Sequence, residues 1–171
     1  MLLASTALAD VTIETTQGPE TLPEMPAKVA ALDLGVADTL MALGVTPAAL
    51  PEKLFLDHLQ PLASSAAPVG TLQEPDLEQL AAVGPDLIVV ANRTAVKRDA
   101  VEQVAPAIDM TVDGATLIED AKARLSAFAA LFGKEAEGEA LIATLDDKLA
   151  GLSDAGRDKG NALVLLTNGP K

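Results

Sequence analysis

The stretch VGTLQEPDLEQLAAVGPDLIVVANR, residues 69–93, decides the fold because it is a complete helix-to-strand unit. Pro75 suits a first helical position, where its missing N–H costs nothing, and Glu74 before it is the predicted cap. Gly84 and Pro85 predict the end of the helix, since Gly tolerates positive φ and Pro cannot continue the turn. The apolar positions of this short helix recur at helical spacing: Leu77, Leu80 and Ala81.

The unit closes with an uninterrupted apolar run over residues 87–91. Such a run is typical of a parallel strand that is covered on both faces. Asn92 and Arg93 follow directly, so they lie at the carboxyl end of the predicted strand. Ligands of open α/β sheets bind at that edge, and these two residues are therefore candidates for binding.

Upstream, the pattern predicts short strands and one short helix. Alternation over residues 11–15 indicates a strand, followed by a turn at 17–20 and a short partner strand at 21–22. The remaining predictions are a buried strand at 28–34, broken by Gly35, a helix at 36–43 closed by Gly44, a strand-like piece at 45–50, and a loop with helical character at 51–65 that contains His58.

Downstream, a helix at 95–104 and a strand at 107–112 continue the alternation of strand and helix. This order predicts an α/β fold, a parallel sheet covered by helices on both faces. A helix at 118–132 and a long one from 134 follow, and then an apolar strand at 162–167 without a following helix. On this pattern we expect a sequence that is cut at both ends.

Composition bounds the function. The chain has 171 residues, three Phe, no Trp, Tyr or Cys, and a net charge of −13. That charge argues against nucleic acid and anionic membrane surfaces as partners, because both need clustered Lys and Arg. The absence of Cys excludes disulfides, thiolate metal sites and a lipid anchor on an N-terminal Cys. Residues 1–9 end in Ala7-Leu8-Ala9, which fits a signal-peptide remnant without its basic start and predicts an exported periplasmic protein. The alternative, a frayed Ala-rich terminus, stays open.

Catalytic groups are scarce, and we predict neither an enzyme nor a metal site. The chain has one His and no Cys or Tyr, and it lacks the nucleophile elbow and the glycine-rich phosphate loops. His58 is interpreted as a surface residue. The acidic residues of the long helix stand at alternate or adjacent positions, which do not face one another, so a solvated face is the better interpretation: Glu135, Glu137, Glu139, Asp146 and Asp147.

Arg93 is the strongest candidate for ligand binding. It directly follows a strand, and a guanidinium binds delocalised anions through forked, charge-assisted hydrogen bonds. The alternative, an ordinary surface pair with Asp99, stays open on spacing alone. Two further loops sit at the same predicted edge and would line a binding mouth: Leu34 with Gly35, and Gly70 with Thr71.

Several segments resemble the iron–siderophore substrate-binding proteins of ABC importers, above all those that bind ferric catecholates such as petrobactin or enterobactin. Each motif alone is modest, but their order and spacing are specific, and with the long helix they cover nearly all of residues 10–169. The matching segments are 11–21 (VTIETTQGPET), 28–44 (KVAALDLGVADTLMALG), 69–78, 85–93, 108–114 (IDMTVDG) and 131–135 (LFGKE).

The resemblance implies two α/β lobes joined by a long helix, with the ligand between them. Residues 10–133 would be the N-terminal lobe, 134–160 the connecting helix and 161–171 the first strand of a second lobe that is absent here, after the remnant at 1–9. Half a cleft is expected to bind more weakly, by several kcal/mol. Direct metal ligation is in doubt, because the Tyr and His that touch iron in some members would come from the missing lobe.

The resemblance also implies roles for individual residues. Arg93, with Asn92 beside it, would hold the anionic ferric complex, and the loops at Leu34-Gly35 and Gly70-Thr71 would line the cleft. Glu78, with Glu74 as the fallback, would dock onto an arginine of the membrane permease. The implied partners are thus a ferric siderophore and an ABC permease. There would be no resident cofactor and no lipid anchor, and the full-length protein would be a monomer.

Three alternatives stay open. The same fold could bind haem, cobalamin or another chelate. A small nucleotide- or phosphate-using enzyme domain is less favoured because no phosphate loop is present. The chain could also lack activity by itself, with the strand at 162–167 as an exposed edge.

Overall fold

The computed structural model of this chain describes residues 10–156 and residue 160. Its centre is a parallel sheet in the order β5-β4-β3-β6-β7, preceded by an antiparallel hairpin of β1 and β2. The prediction of a parallel α/β sheet is confirmed. The strands are β1 Val11–Thr15, β2 Gly18–Leu22, β3 Val29–Ala31, β4 Ala49–Leu50, β5 Ala67–Pro68, β6 Leu87–Val90 and β7 Ala107–Asp109.

Helices connect the strands and extend the chain beyond the sheet. The α-helices are α1 Leu34–Ala42, α2 Leu77–Val83, α3 Arg98–Val101, α4 Leu117–Leu131 and α5 Glu135–Gly156, and two 3₁₀ helices span Asp57–Ser64 and Ala95–Lys97. The long helix predicted from residue 134 is therefore present as α5. Its close packing on α4 requires Gly138, because a Cβ there would lie 2.6 Å from the Cβ of Ala129.

The sheet separates two aliphatic cores, as expected for strands that are apolar on both faces. Leu87 and Val89 of β6 pack into one core with α1, α4 and the hairpin, around the fully buried Phe128. Ile88 and Val90 point the other way and pack with Leu80, on α2, and with α3. Helices thus cover both faces, in agreement with the sequence pattern.

The predicted start of α2 is wrong. Asp76 is the N-cap, and its Oδ1 accepts hydrogen bonds from the backbone N–H groups of Glu78 and Gln79, both at 3.0 Å. Pro75 lies before the helix, in an isolated β-bridge with Gly70, so neither it nor Glu74 has the predicted role. The predicted end is correct, because Gly84 is a left-handed C-cap.

Other boundaries also differ from the predictions. Leu34 belongs to α1 and not to the preceding strand, because Asp33 caps that helix through Gly35 N and Val36 N. The turn of the hairpin lies before Gly18, at which β2 already begins. The helix expected at 95–104 is a 3₁₀ turn followed by the four-residue α3, and the strand at 45–50 is reduced to β4.

One strand was missed and two predictions cannot be compared. β5 is only two residues long and ends in Pro68, so it carries no strand pattern in the sequence. The signal remnant at 1–9 and the strand at 162–167 lie outside the described residues. The division into lobes stays a prediction.

Candidate functional site

All five strands of the sheet run parallel, so the loops that follow them meet at one edge. The predicted binding residues follow three of these strands, β3, β5 and β6, and those after β3 lie in the first turn of α1. The structure therefore places every one of them at the carboxyl edge of the sheet. Their local environments differ, and this decides what each can contribute.

A polar network fixes the loop after β6. The backbone N–H of Asn92 donates to the Thr111 hydroxyl at 2.8 Å, and its side-chain amide donates to Asp33 Oδ2 at 3.4 Å. The N–H and hydroxyl of Thr111 both donate to Oδ1 of the buried Asp109, at 2.9 and 2.6 Å. Asn92 has a φ of 49°, a left-handed conformation that Asn tolerates better than most residues. The network joins the ends of β3, β6 and β7.

Arg93 projects from this fixed loop and is exposed. Within residues 10–156 its guanidinium forms neither an ion pair nor a hydrogen bond, so the alternative pair with Asp99 is absent from that part of the chain. The buried Thr94 anchors the loop behind it, because its hydroxyl accepts from Ala91 N and donates to Ala91 O. Arg93 is thus a cation on a rigid support, available to an anion.

The two cations that follow Arg93 already have partners. Lys97 Nζ lies 2.9 Å from Glu74 Oε1, which joins the loop after β6 to the loop after β5. Arg98 Nη2 lies 2.6 Å from Glu20 Oε2 on β2. Arg93 is therefore the cation of this segment that the fold leaves without a carboxylate among the described residues.

Gly70 and Thr71 form a tight turn after β5. Gly70 has a φ of +85°, and a Cβ on it would lie 2.5 Å from Glu74 O and 2.6 Å from Asp76 N. The Thr71 hydroxyl accepts from Gln73 N at 3.3 Å and from Glu74 N at 3.0 Å, which leaves its own proton for another acceptor. Gly70 therefore shapes the loop, and Thr71 is the residue of the two that offers a polar group.

Leu34 and Gly35 lie in the first turn of α1. The half-buried Leu34 packs against the core beneath α1. Gly35 is covered by Arg124 of α4, whose Nη2 donates to Gly35 O at 3.2 Å. A Cβ on Gly35 would lie 3.2 Å from both Arg124 Nη2 and Asp33 Oδ1. Gly35 thus permits close packing of α4 against α1, a role that the sequence did not indicate.

Sequence reasoning missed Arg124. Burial lowers the pKa of this guanidinium, while the nearby carboxylates of Asp33 and Asp38 raise it by a smaller amount. Its Nε is buried without a hydrogen-bond partner among the described residues. The only sign of this contact in the sequence is a basic residue on the inward face of α4. Its partner Gly35 is 89 positions away, so the sequence pattern does not indicate the pair.

Two cavities accompany the edge. A groove of about 600 Å³ opens beside Asn92 and Thr111 and is also lined by Thr16 and Gln17 of the hairpin turn. A smaller cavity of about 160 Å³ lies between the loops after β4 and β5. Its lining includes Thr71, Lys53 and Phe55. The edge is therefore concave on both sides of the β6 loop.

Several acidic residues outside the polar network lie at the surface. Glu78 is exposed in the first turn of α2, whereas Glu74 is paired with Lys97. His58 Nε2 lies 2.8 Å from Asp38 Oδ1 in an exposed pair. Five acidic residues of α5 are exposed, as expected for a solvated face: Glu135, Glu137, Glu139, Asp146 and Asp147.

The described residues offer neither a metal cage nor a membrane-spanning helix. In the part of the chain that the structure describes, no group of three or more His, Cys, Asp or Glu side chains could hold a metal ion. None of the described helices has both the length and the apolar character that crossing a bilayer requires.

Known proteins resemble this chain in sequence and in fold. The family model for periplasmic binding proteins matches residues 29–171. The petrobactin-binding protein YclQ of Bacillus subtilis (strain 168) is 31% identical over 154 residues, which cover 88% of this chain and 49% of YclQ. The putative ABC transporter substrate-binding lipoprotein YhfQ of the same organism is 29% identical over 158 residues, 88% of this chain and 48% of YhfQ.

The crystal structure of the iron uptake ABC transporter substrate-binding protein PiuA from Streptococcus pneumoniae Canada MDR_19A superposes with a TM-score of 0.83 at 29% identity. The match covers 91% of this chain and 56% of PiuA. The chain thus spans about half the length of the curated relatives it matches.

Proposed function

Because this chain belongs to the periplasmic binding protein family, we propose that it is the substrate-binding component of an ABC importer. It captures a ferric siderophore in the periplasm and delivers it to the membrane permease. YclQ, YhfQ and PiuA support this proposal by their described roles in petrobactin binding, ABC transport and iron uptake. The role is one of binding and not of catalysis, and the ferric ion arrives as cargo inside its chelate.

The observation that carries the proposal is the exposed Arg93 on its fixed loop. Ferric catecholate complexes are anionic, and a guanidinium binds delocalised oxygen anions with forked, charge-assisted hydrogen bonds. Because the loop is already ordered by Asn92 and Thr94, little entropy is lost when a ligand binds. Arg93 therefore supplies the main charge for recognition.

The other proposed residues shape or line the same edge. Asn92 and Thr71 offer polar groups beside the two cavities. Gly70 and Gly35 keep the loops close to the backbone of their neighbours, and Leu34 supports the first turn of α1. In this assignment Arg93, Asn92 and Thr71 contact the ligand, and the other three position them.

For permease docking we propose Glu78. Its carboxylate is exposed at the start of α2 and accepts no hydrogen bond from a side chain of residues 10–156. Glu74 is the weaker candidate because Lys97 already binds it. We further propose that the protein is exported and acts as a monomer.

The first test is the change Arg93→Ala. Truncating one partner of a charged, hydrogen-bonded contact costs more than tenfold in affinity. Because the chain has no Trp or Tyr, binding of ferric enterobactin is measured by titration calorimetry. Lys148→Ala is the control, because it removes an exposed cation on α5; its affinity is expected to equal that of the wild type.

The outcomes separate the alternatives. Equal affinity of Arg93→Ala and wild type would exclude the role given to Arg93. If the wild-type chain does not bind ferric siderophores but binds haem or cobalamin in the same titration, the alternative of the same fold with another ligand is favoured. Thermal stabilisation by nucleotides alone would favour the enzyme domain instead.

A further inference from the structure

Phe55 is an unusually placed aromatic residue. The chain has three Phe: Phe128 is fully buried, Phe132 is half-buried, and Phe55 is 70% exposed. An exposed ring forgoes the stabilisation that burying it would provide. Packing of the core therefore does not explain the position of this ring.

The backbone around Phe55 is nevertheless held in place. Glu52 N donates to Gly70 O at 2.8 Å, which ties the segment to the loop after β5. Leu54 is buried, and its carbonyl oxygen accepts a hydrogen bond from the Gln60 side chain. The ring is therefore presented outward from an ordered segment. A ligand that contacts the ring would lose little entropy in ordering that segment.

The ring also belongs to the ligand edge. Phe55 lines the 160 Å³ cavity together with Thr71, a proposed ligand residue. Lys53 lines the same cavity and forms no ion pair with residues 10–156, and the exposed Glu52 is the acidic group beside it. Strands lie about 4.8 Å apart, so the end of β4 is about 10 Å from the end of β6, which carries Arg93.

Resting on the function proposed above, we propose that Phe55 is a stacking platform for an aryl ring of the siderophore. The face of an aryl group packs on the Phe55 ring, and the Lys53 ammonium binds a phenolate oxygen of the same group. Offset or edge-to-face aromatic contacts are favourable beyond the area they bury. Phe55 and Lys53 thereby make the chain select aryl-bearing ferric chelates over chelates without rings, while Arg93 serves both classes.

The test compares two ferric ligands on one set of variants. Ferric enterobactin carries aryl rings and ferric citrate carries none, and both are titrated by calorimetry into the same chain. Phe55→Leu keeps the apolar bulk and removes the ring. We expect it to weaken ferric enterobactin about fivefold to tenfold and to leave ferric citrate unchanged. Phe55→Tyr is expected to retain the wild-type ratio.

Met25→Ala is the matched control. Met25 is also an exposed apolar residue, but it precedes β3 and so lies at the opposite edge of the sheet. We expect it to change neither affinity. Circular dichroism and the thermal midpoint of each variant establish that it is folded. A loss of binding in a folded variant is then due to a lost ligand contact at the carboxyl edge of the sheet.

The possible results are distinguishable. If the wild type binds neither ligand, the proposed function fails. If it binds ferric enterobactin and Phe55→Leu binds as well as wild type, or loses both ligands equally, the stacking role is overturned. Phe55→Leu could also lower the thermal midpoint or change the oligomeric state while the ratio of the two affinities stays that of the wild type. That result would overturn the stacking role, because it would show that the ring contacts protein and not ligand.

Discussion

Gly70 is a residue whose conformation and surroundings both exclude a side chain. Its φ of +85° is strained for any residue with a Cβ, and the atoms that a Cβ would meet belong to the backbone of Glu74 and Asp76. Backbone cannot rotate aside as a flexible side chain can. The glycine therefore determines both the turn that presents Thr71 and the position of the Asp76 cap.

We expect Gly70→Ala to lower the free energy of unfolding by about 2 kcal/mol or more, from positive φ and steric overlap together. Gly44→Ala is the matched control, because Gly44 has a φ of +74° but nothing within 4 Å of its Cβ position. It should cost only about 1 kcal/mol. Urea denaturation followed by circular dichroism measures both. Equal losses would show that the overlap is relieved at no cost.

At the scale of elements, Arg124 is the contact between α4 and the first turn of α1. Burying this guanidinium is unfavourable for the free energy of folding. Its Nε has no hydrogen-bond partner among the described residues, and burial lowers its pKa. A lowered pKa means that folding disfavours the charged form, and at neutral pH Arg remains charged. Gly35 O does not depend on this contact, since it also accepts from the Thr39 hydroxyl at 2.8 Å.

We therefore expect Arg124→Met to leave the free energy of unfolding unchanged or to raise it by about 1 kcal/mol, because an apolar side chain of similar length removes the desolvation cost. Urea denaturation is the measurement. Lys122→Met, on the same helix but paired with Asp146, is the control and should lower stability slightly. A clear loss in Arg124→Met would mean that attraction to Asp33 and Asp38 outweighs the cost of burial.

At the scale of the whole molecule, charge is the dominant feature. The net charge of −13 is spread over a chain of 171 residues, and the ion pairs described are partly exposed. Exposed pairs contribute little to stability, whereas repulsion among many like charges opposes the compact state. An anionic ligand would meet the same negative potential, and the proposed function therefore relies on a local cation, for which we propose Arg93.

Salt should consequently stabilise the protein. Raising NaCl from about 10 mM to about 150 mM shortens the Debye length from about 30 Å to about 8 Å and screens the repulsion. We expect the thermal midpoint to rise, as followed by circular dichroism, while a neutral solute at equal osmolality produces a smaller change. A midpoint that falls with salt would show that the ion pairs outweigh the repulsion.

The sequence by itself determined most of the order of elements, the parallel sheet and the edge that carries Arg93, although it did not indicate β5. These follow from local signals: the apolar run of β6, the left-handed Gly84 and the long helical period of α5. Such signals depend on neighbours a few positions away, so a pattern can encode them. The family resemblance rests on the same segments.

Only the tertiary structure decided the contacts that shape the site. The Arg124–Gly35 and Asn92–Thr111 contacts join residues 89 and 19 positions apart, and no periodicity encodes such pairs. The start of α2 also differs from the prediction: the sequence predicted Glu74 as the cap, but Pro75 is held in the bridge with Gly70 and Asp76 is the cap. Partners that are distant in sequence become neighbours only when strand order brings them together, which is why the edge could be predicted and its polar network could not.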